Sequence, residues 1–456
     1  MSYLHILGMA VTIAAIVALS IYSGKTAKEK KGAGSIVVAG AIMGTLVGGS
    51  STVGTAQLAY QYGLSAWWYT LGAGISCLVL ALVYAKPFHK SGNKTLAQFI
   101  SKEYGSKNGV LASVFSSMGN FINIVAQLIA ASAIVTLIFP DWSTAATILF
   151  SAVFMILYII FGGTKGSGLV GILKMMLIYI AMVAAGIMVI GLSDGFSGFG
   201  QMVKELGRAN EINYYSMFNR GVGKELGALF SIMFGVITTQ TYAQAVFMAD
   251  TTRQAKKGAL ISAVLTPPVG IGGILVGLYM RSAYPGIVPK TALTLFVTEY
   301  LPPLPAGIFL GTLFIAAVGT GAGIANGISV NLSNDVLLPI AKKMKNLLSQ
   351  NALEKILLVI LLGGASALSF GPLGDTILNF TFMSMALRGA TIFLPLCCAI
   401  WLPRKISPVY ACISIIVSPI VVLVLNLWGN LPFDPLFIGI LLSAIIMLIG
   451  YIKKKL

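Results

Sequence analysis

The chain alternates long apolar blocks with short polar breaks. An α-helix needs about 20 consecutive apolar residues to cross a bilayer. Thirteen stretches meet or approach that length: 3–22, 34–60, 65–86, 109–138, 143–161, 166–193, 225–249, 257–281, 304–334, 354–370, 374–402, 406–428 and 434–452. The pattern predicts an all-α polytopic membrane protein of about thirteen transmembrane helices, with residues 1–456 as one transmembrane domain. The first block lacks a basic leader and is followed by Lys25–Lys31. That order reads as a retained anchor and not as a cleaved signal peptide.

Composition removes the soluble alternative. Of 456 residues, 57% are apolar and 9% charged, and mean hydropathy is +0.91. A soluble domain carries about 25% charged residues. This chain has too little polar surface to face water on all sides. The four cysteines (Cys77, Cys397, Cys398 and Cys412) lie in apolar stretches without CxxC or Cys/His spacing. They read as small core residues, with no metal implied.

Charge then orients the spans. With the N-terminus outside, 22 of the 30 basic residues fall in cytoplasmic segments, six fall outside, and Lys174 and Arg388 lie within spans. This is the positive-inside pattern. It predicts a protein of the plasma (inner) membrane with a cytoplasmic C-terminus. It also accounts for the +17 net charge through anionic lipid, so no nucleic-acid partner is implied. The bilayer is the expected partner, together with a small-molecule solute. No obligate protein partner is implied.

All thirteen acidic residues sit in loops or at helix ends, and both histidines, His5 and His89, are peripheral. Paired-carboxylate or histidine-centred catalysis has no place in the spans, so an enzyme is not expected. The usual intramembrane proton relay of Asp, Glu and His is missing as well.

The second block breaks its own pattern. Gly40, Gly44, Gly48, Gly49 and Gly54 alternate with Ser50, Ser51, Thr52 and Gln57. This composition suits a broken helix whose freed backbone groups meet a ligand or ion. The seventh block carries Thr238-Thr239-Gln240-Thr241, the ninth Gly319-Thr320-Gly321-Ala-Gly323, and the eleventh runs into Pro403-Arg404-Lys405. The glycine run of the ninth looks like a phosphate loop, but no strand precedes it.

Taken in order, these segments resemble the sodium:solute symporter family, the group that includes bacterial proline, sialic acid and sugar symporters. The resemblance covers the whole chain and rests on segment order and spacing more than on one motif. It implies the leucine-transporter fold. Two inverted five-helix repeats, about 34–193 and 225–402, would follow one extra N-terminal helix and precede two extra C-terminal helices. It also implies a coupling sodium between the second and ninth spans. Gly44 and Val47 match the carbonyl positions on one side, and Ala317, Thr320 and Gly321 match the other. The chain departs from the family there, because Gly321 offers no hydroxyl. It departs again at the acidic position of the sixth span. Met175 falls there or beside it, next to Lys174.

Lys174 lies roughly 12 Å from the inner start of its span, Gly44 roughly 15 Å and Thr320 roughly 20 Å from their inner ends, at 1.5 Å per helical residue. The three therefore share a layer. An ammonium at that depth needs carbonyls or water around it. The expectation is that Lys174 fills the sodium position, which makes transport sodium-independent, or proton-coupled if the desolvated amine releases its proton. The bland alternative is that Lys174 snorkels to the headgroups. No resident cofactor is expected, and Na+ or H+ is the coupling ion. Any sodium would lie at Gly44, Val47, Ala317 and Thr320.

Arg388, midway along the eleventh span, is the candidate receptor for an anionic solute group. It could equally bond carbonyls of a neighbouring broken helix. Ser50, Ser51, Thr52, Gln57, Thr239 and Gln240 match solute-contact positions. Asn123 and Gln127, with Asn120, follow helical spacing along the fourth span. Interhelical hydrogen bonding explains such residues equally well.

The reading is a secondary active transporter that moves a small anionic or zwitterionic organic solute by alternating access. A conventional sodium symporter with a reduced site is the nearest alternative. A transporter-derived sensor would need a signalling domain after the last span, and a channel would need a continuous polar stripe.

Overall fold

A computed structural model describes residues 2–26, 33–93, 95–162, 167–337, 350–370, 376–428 and 431–455. The described residues are helical throughout, apart from connecting turns and one isolated bridge between Ala33 and Ala249. Lys28, Glu29, Lys30, Lys31, Lys94, Lys165, Lys342, Lys343, Lys345 and Asp375, which are among the charged residues counted above, lie outside the described residues.

The helices, in chain order, are α1 Tyr3–Thr26, α2 Ser35–Leu46, α3 Thr55–Tyr62, α4 Trp67–Val79, α5 Ala85–Lys90, α6 Leu96–Tyr104, α7 Ser106–Ile138, α8 Thr144–Gly162, α9 Ser167–Leu192 and α10 Gly195–Asn210. They continue as α11 Val222–Ile237, α12 Gln240–Phe247, α13 Thr252–Ala283, α14 Ala292–Tyr300, α15 Pro303–Leu332, α16 Gln350–Ser369, α17 Ile377–Trp401, α18 Pro408–Trp428 and α19 Leu436–Lys455.

Among the described residues nine helical runs are long and apolar enough to cross a bilayer, or ten with the bent pair α11–α12. This is fewer than the thirteen anticipated. Three apolar segments, Tyr3–Leu19, Ser35–Leu46 and Thr144–Ile160, are shorter than a crossing by that measure, and Ser50–Lys90 forms one helical run. Ser35–Leu46 is short because its helix breaks at Val47. The run Ser50–Lys90 contains a turn at Gly63, whose φ of 65° and ψ of −130° favour a residue without a Cβ.

Two breaks shape the middle of the molecule. α2 stops at Leu46, where Val47 turns extended (φ −95°, ψ 103°), and a π-helical turn, Ser50–Gly54, leads into α3. α11 stops at Ile237, Thr239 is extended (φ −89°, ψ 122°), and α12 leaves at 45°. The ninth apolar block behaves differently. α15 passes through Gly319–Gly323 as unbroken helix.

Among the described residues the loops contain three helices that apolar run length does not reveal: α6, α10 and α14. They are short and amphipathic. In α6 the buried residues are Leu96, Ile100 and Tyr104, four apart on one face. Pro267 and Pro268 sit inside the continuous α13. The Pro267 carbonyl accepts from Trp67 Nε1 at 3.0 Å and Thr70 Oγ1 at 3.3 Å. Trp68 Nε1 donates to Met217 O at 2.7 Å. Trp67 thus ties α4 to α13, and Trp68 ties α4 to the loop before α11. The four cysteines are free thiols.

Around the breaks, α13 packs on α2, α3 and α4, α7 packs on α15 and α17, and α9 packs on α2.

Candidate functional site

Lys174 is reached through a close helix crossing. A Cβ added at Gly171 would overlap the Gly40 carbonyl oxygen and approach Gly44 Cα at 3.2 Å. Only a bare backbone lets α9 lie this near α2. One turn further along α9, Lys174 reaches inward. Its Nζ donates to Gly44 O at 2.7 Å and to Thr320 Oγ1 at 2.8 Å, and the residue is 4% exposed. It therefore does not snorkel. The ammonium clamps α9 to α2, just before the first break, and to α15.

The other cation-layer residues divide. Val47 and Ala317 are fully buried, but among the described residues the ammonium's hydrogen-bond partners are Gly44 and Thr320. Gly321 points elsewhere. A Cβ there would meet Met155 Cε at 2.6 Å and Gln127 Cβ at 3.2 Å, so the missing hydroxyl would have no room. Met175 is buried. Two of the positions matched to the family's sodium site, Gly44 O and Thr320 Oγ1, already accept from a charged donor, and a Na+ at those two oxygens would compete with the Lys174 ammonium. Among the described residues no group of three or more His, Cys, Asp or Glu could hold a metal ion.

The first break closes largely on itself. Ser51 Oγ accepts from Gly48 N at 3.0 Å and donates to Gly48 O at 2.9 Å, and Thr52 Oγ1 donates to Gly48 O at 3.0 Å. The next amide, Gly49 N, donates to Gln127 Oε1 at 2.9 Å. Gln127 is the hub of this layer. Its Nε2 donates to Ser50 Oγ at 2.9 Å and to Asn123 Oδ1 at 3.2 Å. Ser50 Oγ lies 2.7 Å from Thr381 Oγ1 of α17. Gln57 Oε1 accepts from Ile377 N, the first residue of α17, at 3.0 Å. The structure thus gathers Ser50, Asn123 and Gln127 into one network and sets Gln57 on a separate contact.

Arg388 is 1% exposed. Its Nε donates to Ser384 O at 3.1 Å. One terminal nitrogen donates to Asn120 Oδ1 at 2.7 Å and Thr239 Oγ1 at 2.6 Å. The other donates to Ser384 Oγ at 3.1 Å and Met385 Sδ at 2.8 Å. Every N–H of the guanidinium has a neutral partner, and Thr239 belongs to the second break. Arg388 braces that break, and an anion would reach the guanidinium only by displacing one of these partners. Gln240 lies off this cluster, with its Oε1 accepting from Leu96 N of α6 at 2.9 Å.

Sequence inspection missed three participants: Thr381, Ser384 and Tyr69, whose hydroxyl donates to Leu46 O at 3.4 Å. The spacing of Thr381, Ser384 and Arg388 repeats every three to four residues and marks one face of α17, so that signal was present. The described ion pair lies away from both cations. Arg220 grips Glu225, buried in the first turn of α11, through Nε at 2.9 Å and a terminal nitrogen at 2.6 Å.

Two broken helices with polar networks at their breaks mark a membrane protein of the secondary-transporter class with the leucine-transporter fold. The chain matches the profile of the sodium:solute symporter family over residues 30–407 and belongs to that family. The family is one of transporters, not enzymes. The chain is 30% identical over 162 residues, 35% of its length, to the uncharacterized symporter YwcA of Bacillus subtilis, of which the match covers 30%. It is 23% identical over 405 residues, 80% of its length, to the high affinity choline transporter 1 of Homo sapiens, of which the match covers 67%. The chain thus spans from under a third to about two thirds of the length of these relatives. Its structure is similar to that of a Na+-coupled sialic acid symporter in a substrate-bound outward-open state. The TM-score is 0.76, sequence identity is 16%, and the match covers 100% of this chain and 98% of that one.

Proposed function

We propose that the protein is a secondary transporter of a small organic solute in which the Lys174 ammonium stands where the family's coupling cation would bind. The observation that supports this reading is the Lys174 contact set: Gly44 O at 2.7 Å and Thr320 Oγ1 at 2.8 Å around a buried amine. A fixed positive charge there holds α9, α2 and α15 together without a dissolved ion, so transport is sodium-independent. If Nζ gives up its proton during the cycle, the coupling ion is H+.

The solute lies between the two breaks, near Ser50, Gln127, Thr239 and Arg388. Two buried cations without a carboxylate partner among the described residues favour an anionic or zwitterionic solute, whose carboxylate takes over acceptor positions now held by Asn120 and Thr239 on Arg388. The repeats 34–193 and 225–402 move against each other in alternating access. The N-terminus lies outside and the lysine-rich C-terminus in the cytoplasm.

A second reading has its own support. The human relative is a choline transporter, and choline is a cation, which suits a conventional sodium symporter less dependent on Arg388.

The deciding experiment is uptake into proteoliposomes. A panel of labelled carboxylates, amino acids and quaternary amines is offered, with external Na+ replaced by K+. Equal uptake of a carboxylate or amino acid in both salts is expected. Strong dependence on Na+ would sink the lysine-for-sodium reading.

A further inference from the structure

α7 carries a polar stripe that continues beyond the solute region. Ser113, Ser116, Asn120, Asn123 and Gln127 recur every three to four residues, which places them on one face. At one end Gln127 holds the first break. Midway, Asn120 accepts from Arg388. At the other end Ser113, Ser116 and Asn120 line a small cavity of about 20 Å3, with Thr238, Gln240 and Asn331 opposite. That volume suits about one water molecule. The Ser116 hydroxyl is buried there and has no hydrogen-bond partner among the described residues. An unpaired buried hydroxyl costs free energy, and it is expected where a polar visitor completes it.

Thr95, Leu96 and Ala97, at the start of α6, form one wall of the cavity. The start of α6 is tied to the second break by the hydrogen bond from Leu96 N to Gln240 Oε1 at 2.9 Å, while its far end is held by Tyr104 Oη donating to Pro395 O at 3.0 Å and by Arg404 N donating to Glu103. Gln240 opens α12, directly after the second break. A rearrangement at that break therefore moves the acceptor that holds the start of α6.

We propose that this cavity is a transit subsite for a hydrogen-bonding group of the solute, completed by Ser116, and that Gln240 is the positioning residue that latches the start of α6 against it. This inference rests on the transporter reading above and gives Gln240 a role other than solute contact.

The test reads access and not uptake, so it can fail independently of transport. Ser116→Cys is placed in a background with Cys77, Cys397, Cys398 and Cys412 replaced by Ala. Alkylation by N-methylmaleimide is timed on the purified, monodisperse protein. Adding Gln240→Leu removes the acceptor and should speed alkylation by about fivefold, the shift expected from one lost hydrogen bond. Leu96→Pro removes the donor instead, at a first-turn position that tolerates proline, and should act in the same direction. Gln240→Glu keeps an acceptor facing the α6 N-terminus, where negative charge is favoured, and should stay slow. Unchanged rates in both Gln240→Leu and Leu96→Pro would overturn the latch. Equally fast alkylation in all four proteins would overturn the enclosed subsite.

Discussion

At the scale of single residues, the two cations in the spans do different structural work. Lys174 is held by two oxygens on two other helices, whereas Arg388 is saturated by five neutral contacts. Removing the amine leaves Gly44 O and Thr320 Oγ1 without their donor, and a small cation can take its place. Lys174→Ala is expected to acquire Na+-specific thermal stabilisation that the wild type lacks, seen as a rise in Tm in NaCl over N-methylglucamine chloride. A ligand at 100 times its Kd contributes about 2.7 kcal/mol, a shift that is easily measured. A Na+-dependent Tm in the wild type would count against the idea. For Arg388→Gln, carboxylate binding by calorimetry should fall at least tenfold while neutral analogues lose little. Equal losses for both would leave Arg388 a brace only. Lys174 and Arg388 were legible in the sequence because a charge within an apolar run stands out. The role of Gln240 was not, because its partner Leu96 is 144 residues away, in a helix that apolar run length does not reveal.

At the scale of elements, the crossing of α9 over α2 decides whether Lys174 arrives. A side chain at Gly171 meets backbone at Gly40 and Gly44, which cannot yield without moving a helix. Gly171→Val should destabilise the protein by about 1–3 kcal/mol, as overpacking does, and should weaken the Lys174 clamp. The check is the thermal midpoint. An unchanged midpoint would mean that the two helices are less tightly apposed than described. The breaks themselves could be read from composition, since Gly48–Thr52 and Thr238–Thr239 interrupt apolar runs with groups able to bond their own backbone. The glycine run of α15 shows the limit of that rule, because glycine there accompanies an unbroken helix. Polar hydroxyls that rebond Gly48 distinguish the first break; glycine alone does not. The short helices α6, α10 and α14 escaped notice because their apolar faces span only two or three turns.

For the whole molecule, the orientation inferred from lysine and arginine can be tested directly. Lys454→Cys should be protected from a membrane-impermeant maleimide in right-side-out vesicles, and Lys204→Cys should react. The reverse pattern would invert the proposed topology. The fold as a whole was legible because long apolar blocks, their order and their two interruptions are sequence-local properties. The number of crossings was less so. Helix breaks and turns such as Gly63 divide or merge apolar runs in ways that length alone does not resolve.

The Lys174 clamp also has an energetic consequence. A dissolved ion does work by falling down its own gradient, and a charge tethered to the chain returns to its starting side each cycle. If the amine keeps its proton, an uncharged or zwitterionic solute can equilibrate but not accumulate, and its inside-to-outside ratio in sealed vesicles settles at one. If the amine yields one proton per cycle, the ceiling for such a solute becomes about tenfold per unit of imposed pH difference. The steady-state ratio, read with and without that difference, tells a facilitator from a pump.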